Sequence, residues 1–234
     1  MEDARKVANW CAKNLNLDEA ELMDEYFYQS LPLCVIDAVF SIGANYTSTS
    51  NTVIKYCNYF DLQRIRSDKD DIPPKEEQQS ISNFLSKMDQ YGLQTFTEEI
   101  FDNRQLTSPK NGIRKTKAVY KFAKVLRSFN VDYFQDISKA LNNSDFKRRI
   151  KEIPGQTSGK SLNYFFMLSG CDEFIKPDRM IRRCLENILN KKVNQRKTQE
   201  ILSKTSNILN QEYDYGNITP RLLDHQIWKY QRDE

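Results

Sequence analysis

Apolar residues recur at helical spacing along most of the chain, and no segment shows the strong apolar–polar alternation of a half-buried strand. Residues 2–15 place their apolar side chains on one helical face. Residues 33–42 are strongly apolar, which is typical of a buried central helix. The polar residues 44–50 predict a loop. Further helices are predicted at residues 51–60, 81–88, 115–129, 134–141, 146–150, 162–168, 180–189 and 195–209. The pattern therefore predicts an all-α protein.

The composition is that of a folded chain. Of its 234 residues, 39% are hydrophobic and 12% aromatic, which is enough for a core and argues against general disorder. The five cysteines contain no CxxC pair, so a disulfide framework and a zinc site are both disfavoured. The amino terminus lacks an apolar signal core, and no apolar run reaches membrane-spanning length. We therefore expect a cytoplasmic protein with no membrane partner. A monomer is expected, but these observations leave the oligomeric state open.

Positive charge is concentrated in two runs, although the net charge is only +3. Residues 103–131 contain eight basic residues and no acidic one. Residues 176–197 contain eight basic residues against Asp178 and Glu186. Charge that is segregated in this way favours a polyanionic partner. The alternative is that both runs are ordinary solvated helix surfaces.

The richest motif lies in residues 153–185, IPGQTSGKSLNYFFMLSGCDEFIKPDRMIRRCL. Pro154, Gly155 and Gly159 predict a tight turn before a helix, where uncovered backbone amides can bind a phosphate. A polar loop follows, and Asp178 then begins a second helix. Lys160 and Asp178 are 18 residues apart, about one helix and one loop, so they can face each other across a cleft.

This layout resembles the helix-hairpin-helix DNA glycosylase superfamily, in its endonuclease III-like branch, of which the chain would be a divergent member. The resemblance covers about residues 30–190 and is carried first by the hairpin at residues 153–159, whose turn is longer than the usual family turn. The second match is DRMIRR at residues 178–183, where the family has Asp-Thr-His-Val-x-Arg. The aspartate, the apolar fourth position and the last arginine agree, whereas the Thr-His pair is missing.

The resemblance implies a two-lobed helical fold with a cleft between the lobes. Residues 30–165 would form the lobe that contains the hairpin. Residues 1–29 and 166–234 would form the second lobe, which carries the aspartate. Lys160 and Asp178 would then lie on opposite lips of the cleft. The loop at residues 44–50 would wedge into the DNA duplex.

The implied activity is that of a DNA N-glycosylase, which hydrolyses the bond between a damaged or modified base and deoxyribose and leaves an abasic site. Asp178 would stabilise the positively charged sugar and direct the water. Lys160 would be the nucleophile if the enzyme also cleaves the strand. Double-stranded DNA is the implied partner. The residues expected to bind its backbone are Gly155, Gln156, Thr157, Ser158, Gly159, Arg179 and Arg183.

The flipped base needs a pocket of aromatic and polar side chains, for which the resemblance indicates Asn45, Tyr46 and Tyr164. We expect no metal site. An iron–sulfur cluster of the kind that some family members carry is not expected either, because no cysteine follows Cys184. A monovalent cation at the hairpin is the one cofactor that the resemblance allows. The identity of the excised base does not follow from the sequence.

Two other functions are compatible with the same residues. The first is a helix-hairpin-helix DNA-binding protein without catalytic activity, which the longer turn and the missing Thr-His pair favour. The second is a helical interaction domain with no role on DNA. At single positions, Asp178 is often just a helix cap, and Lys160 an exposed lysine at a helix start.

Overall fold

The computed structural model of the protein describes residues 1–233. These residues contain eleven α-helices and no β-strand, so the all-α prediction is confirmed. None of these helices has the length and apolar character that crossing a bilayer requires. The helices are α1 (Glu2–Asn14), α2 (Leu31–Phe40), α3 (Tyr46–Tyr59), α4 (Ile81–Thr95), α5 (Lys115–Ser128), α6 (Ser138–Leu141), α7 (Ser144–Lys151), α8 (Lys160–Leu168), α9 (Arg179–Leu189), α10 (Gln195–Glu212) and α11 (Pro220–Asp233).

The chain divides into two compact units. The first unit combines residues 1–23 with residues 170–234 and contains α1, α9, α10 and α11. The second unit comprises residues 24–169 and contains α2 to α8.

The second unit is built around α2, all of whose residues are buried. This helix contacts α3, α5 and α8. The residues at its start are typical of a helix amino terminus, since Ser30 occupies the cap position and Pro32 lies in the first turn. Aromatic rings fill the space beside it, with the Tyr56 ring centroid 5.4 Å from that of Phe84 and 5.9 Å from that of Phe101. A helix that is buried all round, and apolar except for Asp37, is thus the centre of this core.

The first unit pairs α1 with α10 and α9 with α11. Val7, Leu185 and Leu202 are fully buried in its core. The apolar pattern does not predict α11, whose buried face also includes Asp224 and His225. Polar residues at core positions weaken the periodicity from which an amphipathic helix is recognised.

Residues 44–50 are not the predicted loop, because α3 already begins at Tyr46. The Asn45 side chain caps this helix, with its Oδ1 2.8 Å from the Ser48 amide nitrogen. The Thr49 and Thr52 hydroxyls donate to carbonyls one turn earlier, at 3.3 Å and 3.0 Å. These bonds satisfy the hydroxyl groups within the helix, so the Ser- and Thr-rich segment does not need a loop conformation. The prediction of a loop here is wrong.

Candidate functional site

The hairpin motif forms two helices joined by a turn, in which α7 ends at Lys151 and α8 begins at Lys160. Gly155 and Gly159 both adopt left-handed backbone conformations, with φ of 86° and 71°. The Gln156 amide donates to the Ile153 carbonyl at 2.9 Å, and the Gly159 amide donates to the Gln156 carbonyl at 2.9 Å. The turn therefore uses its glycines where the sequence predicts that permissive residues are needed.

Gly155 is required for a second reason, which is its contact with Thr107. A Cβ atom on Gly155 would lie 2.4 Å from the Thr107 Cβ and 2.6 Å from its Oγ1. The Thr107 Oγ1 also accepts a hydrogen bond from the Ile113 amide, at 3.2 Å. The segment before α5 is thus packed directly against the hairpin, and this packing holds the turn in place.

The predicted DNA-binding residues of the turn point in different directions. Thr157 and Ser158 are exposed. Gln156 is only 1% exposed, and its side-chain oxygen accepts a hydrogen bond from the Ser161 hydroxyl. Among residues 1–233 its side-chain nitrogen has no hydrogen-bond partner. A ligand at the turn would therefore meet Thr157 and Ser158 and not the buried Gln156.

Lys160 is the first residue of α8 and is half-buried. Its amide nitrogen lies 3.4 Å from the Ser158 Oγ, to which it donates a weak hydrogen bond. Lys160 belongs to the unit of residues 24–169, whereas Asp178 belongs to the other unit.

Asp178 caps α9 and is half-buried. Its Oδ1 accepts hydrogen bonds from the Met180 amide at 2.8 Å and from the Ile181 amide at 3.0 Å. These are the amide groups that a helix leaves without partners at its amino end, where the helix dipole favours negative charge. The cap therefore holds one oxygen of Asp178 in a defined position.

A second carboxyl group, Asp224, lies in the electrostatic environment of Asp178 and is not part of the sequence prediction. Asp224 is 3% exposed, and Lys176 is the neighbour that most favours its ionised form. Burial, and after it the negative charge of Asp178, raise the pKa of the Asp224 carboxyl well above its ordinary value. The two aspartates are 46 positions apart (224 − 178), so only the fold brings them together.

The two arginines predicted to bind phosphate follow Asp178 on α9, and both are exposed. The Arg183 Nε and Nη2 lie 3.4 Å from the Gln231 Oε1 on α11, which orients the guanidinium along the helix pair. Arg179 is the first residue of α9. Both side chains can therefore meet an anion that approaches the amino end of this helix.

Asn45, predicted for the base pocket, lines a cavity of about 350 Å³. The other lining residues come from α3 and from the segment after α4: Thr47, Ser48, Asn51, Thr52, Lys55, Phe101, Asp102 and Asn103. The Lys55 ammonium and the Asp102 carboxylate form an ion pair of 2.5 Å at this cavity. The wall is rich in hydroxyl and amide groups, which suits a polar ligand.

Tyr46 and Tyr164 meet two carboxylates, those of Glu25 and Asp37, that no sequence motif indicates. Partial burial and a hydrogen bond to Glu25 raise the pKa of Tyr46. Burial and the nearby charge of Asp37 raise the pKa of Tyr164, whose hydroxyl lies 3.4 Å from the Asp37 Oδ2. The same oxygen accepts a hydrogen bond from the Tyr28 hydroxyl at 2.9 Å. Both predicted tyrosines thus remain neutral hydrogen-bond donors to acidic side chains.

Lys115 is one of the basic residues of the first run, yet it is only 1% exposed. Its ammonium donates to the carbonyls of Phe40 and Ile42 and to the Gln105 Oε1, each at 2.7 Å. The two carbonyls lie at the carboxyl end of α2, where a cation is favourable. Lys115 therefore stabilises the fold and does not present its charge to a polyanion.

A family match covers nearly the whole chain. Residues 5–232 match the family described as Domain of unknown function (DUF8548). The chain belongs to this family. Searches of curated proteins and of solved structures return no match. For this DUF8548 member, function is therefore inferred from the residues of the chain and their geometry.

Proposed function

We infer that this protein is a DNA N-glycosylase of the helix-hairpin-helix type. It would hydrolyse the bond between a damaged or modified base and deoxyribose in double-stranded DNA, leaving an abasic site. In this proposal the unit of residues 24–169 is the lobe with the hairpin, and residues 1–23 with 170–234 form the lobe with Asp178. The observation that carries the proposal is the α7–turn–α8 hairpin, with both glycines in left-handed conformations.

The hairpin supports a grip on the DNA backbone. Thr157 and Ser158 are exposed directly before α8, so their amides and hydroxyl groups can approach a phosphate. Gly155 makes room for Thr107, and this packing holds the turn in place. A rigid turn of backbone amides binds phosphate independently of sequence, which an enzyme that scans DNA requires.

Asp178 supports the chemistry. Cleavage of an N-glycosidic bond creates positive charge on the sugar, and a fixed carboxylate beneath C1′ stabilises that charge. The cap bonds from Met180 and Ile181 hold one oxygen of Asp178 in place, and in this proposal the second oxygen acts on the sugar or on the attacking water. Lys160, at the start of the hairpin helix, would supply the amine if the enzyme forms a covalent intermediate and cleaves the strand.

The experiment is an abasic-site assay on duplexes that carry damaged, mismatched or naturally modified bases, each treated with and without alkali. We expect alkali-dependent strand cleavage on at least one duplex. Asp178→Asn retains a side chain that can cap α9, and it should lower base release by about 10²–10³-fold because the charge is lost. Cleavage without alkali, lost in Lys160→Gln, would assign the nucleophile to Lys160.

The rival function is DNA binding without catalysis. It is favoured by the hairpin itself, because the turn at residues 153–159 is formed without any contribution from a catalytic group. This rival predicts salt-sensitive DNA binding, no abasic product on any duplex, and equal binding by the wild type and Asp178→Asn. Negligible binding at every salt concentration would contradict both DNA functions and leave a helical interaction domain.

A further inference from the structure

A cavity in the unit of residues 24–169 has a polar wall that the proposed glycosylase chemistry does not use. It lies between α3 and residues 101–103, and its volume is about 350 Å³. Proteins bind small molecules in cavities of about 300–1,000 Å³, so this one is at the small end of that range. Of the nine described residues that line it, eight are polar or charged, and one, Phe101, is apolar. The cavity therefore suits a small ligand that is rich in hydrogen-bonding groups.

The wall at residues 101–103 has an unusual backbone. A π-helical turn, Phe96–Ile100, follows α4, and the Phe101 amide donates to the Phe96 carbonyl at 2.8 Å. Asp102 then adopts a left-handed conformation, with φ of 44°. Such departures from regular helix geometry are frequent at functional sites. Here they bring three consecutive residues to the same cavity, which a continuous helix would not do.

Hydrogen bonds between the two walls hold the cavity open. The Asn103 Nδ2 donates to the Thr52 Oγ1 at 3.0 Å, and the Gln105 Nε2 donates to the Ser48 Oγ at 3.2 Å. The Gln105 Oε1 in turn accepts a hydrogen bond from the buried Lys115 ammonium at 2.7 Å. The walls are thus fixed from behind, and little further ordering is needed when a ligand binds.

The side chains that remain available to a ligand lie on successive turns of α3. Thr47, Asn51 and Lys55 are four residues apart, so they share one face of the helix, and all three are exposed at the cavity. Within the described part of the chain, the side chains of Thr47 and Asn51 form no hydrogen bond. A hydroxyl group and an amide group, each of which can donate and accept, are therefore free for a ligand.

The ion pair between Lys55 and Asp102 indicates which ligand fits. Its side chains are 45% and 63% exposed, and an ion pair so exposed contributes little to stability, so it can rearrange around a ligand. The two charges cancel, which disfavours a strongly charged ligand such as phosphate. The ammonium only donates hydrogen bonds and the carboxylate only accepts them. Two hydroxyl groups on adjacent carbons can accept from the one and donate to the other.

We propose that this cavity binds a sugar through two hydroxyl groups on adjacent carbons, with Asp102 as the acceptor, Lys55 as the donor and the Asn51 amide beside them. The inference goes beyond the glycosylase function and does not depend on it, because deoxyribose within a DNA strand has no such pair of free hydroxyl groups. The ligand is therefore a free sugar or the ribose of a ribonucleoside, two sources that share this chemistry.

Binding is tested by titrating the isotope-labelled full chain with D-ribose, D-glucose, adenosine and 2′-deoxyadenosine and recording amide NMR spectra. We expect saturable shifts of the signals from α3 and residues 101–103. If the ligand is a ribonucleoside, adenosine should bind at least about tenfold more tightly than 2′-deoxyadenosine, which keeps the base but lacks the adjacent hydroxyl groups. Shifts with the free sugars alone would identify a free sugar. No saturable shift with any of the four, or equal affinity for two nucleosides that both bind, would overturn the proposal.

The site is tested by variants with matched controls. Asp102→Asn tolerates the left-handed backbone but loses the charge, and it should weaken binding by about tenfold. Its control is Asp61→Asn, which changes an exposed aspartate of the same unit that is also left-handed, with φ of 50°, and lies outside the cavity. Asn51→Ala should also weaken binding, whereas Asn58→Ala, at an exposed position of the same helix, should not.

Thermal unfolding shows whether each variant is folded. If Asp102→Asn does not fold, the exposed Asn51 and its control decide the result. Unchanged affinity in the folded cavity variants, or an equal loss in the controls, would show that the sugar does not bind at this cavity and would overturn the proposal.

Discussion

Residues 103–131 and residues 176–197 each contain eight basic side chains, but these cations meet different partners. In the second run the cations are largely neutralised by carboxylates, some of them distant in sequence. Lys191 pairs with Asp3 at 2.7 Å, and Lys197 pairs with Glu200 at 3.4 Å. Three further ion pairs belong to this run: Arg182–Glu186, Lys192–Glu186 and Arg196–Glu200.

In the first run most cations are exposed and have no ion pair within the part of the chain that the structure describes: Lys110, Arg114, Lys117, Lys121, Lys124 and Arg127. Arg104 forms a long pair with Glu98, at 3.7 Å, and Lys115 is buried. The two runs thus contain equal numbers of basic residues, but the first run has more exposed cations that are not neutralised by a carboxylate. The exposed face of α5 is therefore the better candidate for contact with DNA phosphates.

The largest expected effect concerns the one lysine of the first run that acts inside the fold. Lys115→Met retains the length of the side chain but leaves the Phe40 and Ile42 carbonyls without their donor. We expect a loss of about 3 kcal/mol in the free energy of unfolding, since each buried unpaired group costs about 1–3 kcal/mol. Chemical denaturation measures this loss. The salt dependence of DNA binding should not change, and a shallower salt slope would show that Lys115 contacts phosphate.

The next effect compares the unpaired lysines on the exposed face of α5 with the paired lysines of residues 176–197. Lys117→Glu combined with Lys121→Glu should weaken binding to a duplex by at least about tenfold and make the salt slope shallower by about 2, since each lost phosphate contact removes about 0.9. The measurement is fluorescence anisotropy over a range of salt concentrations.

The matched control is Lys191→Glu combined with Lys192→Glu, which changes the charge equally in the second run. Those lysines are already paired with Asp3 and Glu186, so the salt slope should change little. Loss of these exposed pairs should cost less than about 1 kcal/mol of stability each. If both double variants weaken binding equally, net charge alone determines affinity and the difference between the runs has no functional meaning.

Local patterns predicted the helices well, because a helical period is visible within a single segment. The apolar face of α5 is an example. It also shows that Lys115 differs from the other basic residues of the first run, which a count of charges does not show. Lys115 stands three, four and seven residues before buried Ala118, Val119 and Phe122, so its position lies on the apolar face. Its burial follows from the sequence once position is given more weight than residue type.

The candidate site was predictable only in its local parts. The Gly155 and Gly159 turn and the capping position of Asp178 follow from short-range rules for glycine and for helix starts. The contact of Thr107 with Gly155 and the coupling of Asp224 to Asp178 depend on packing between distant segments. No spacing rule relates such pairs, so a single sequence does not reveal them.

The smallest expected effect comes from removing a carboxylate that neutralises two cations of the second run. Glu200→Gln removes the carboxylate that pairs with both Arg196 and Lys197. If the second run lies near DNA, duplex affinity should rise about twofold and the salt slope should become steeper by at most about 1, since one new phosphate contact contributes about 0.9. Glu2→Gln, which removes an exposed carboxylate paired with Lys6 at 2.8 Å, is the control for net charge. Equal gains in the two variants would contradict a local role for the second run, because the change would then follow from net charge alone.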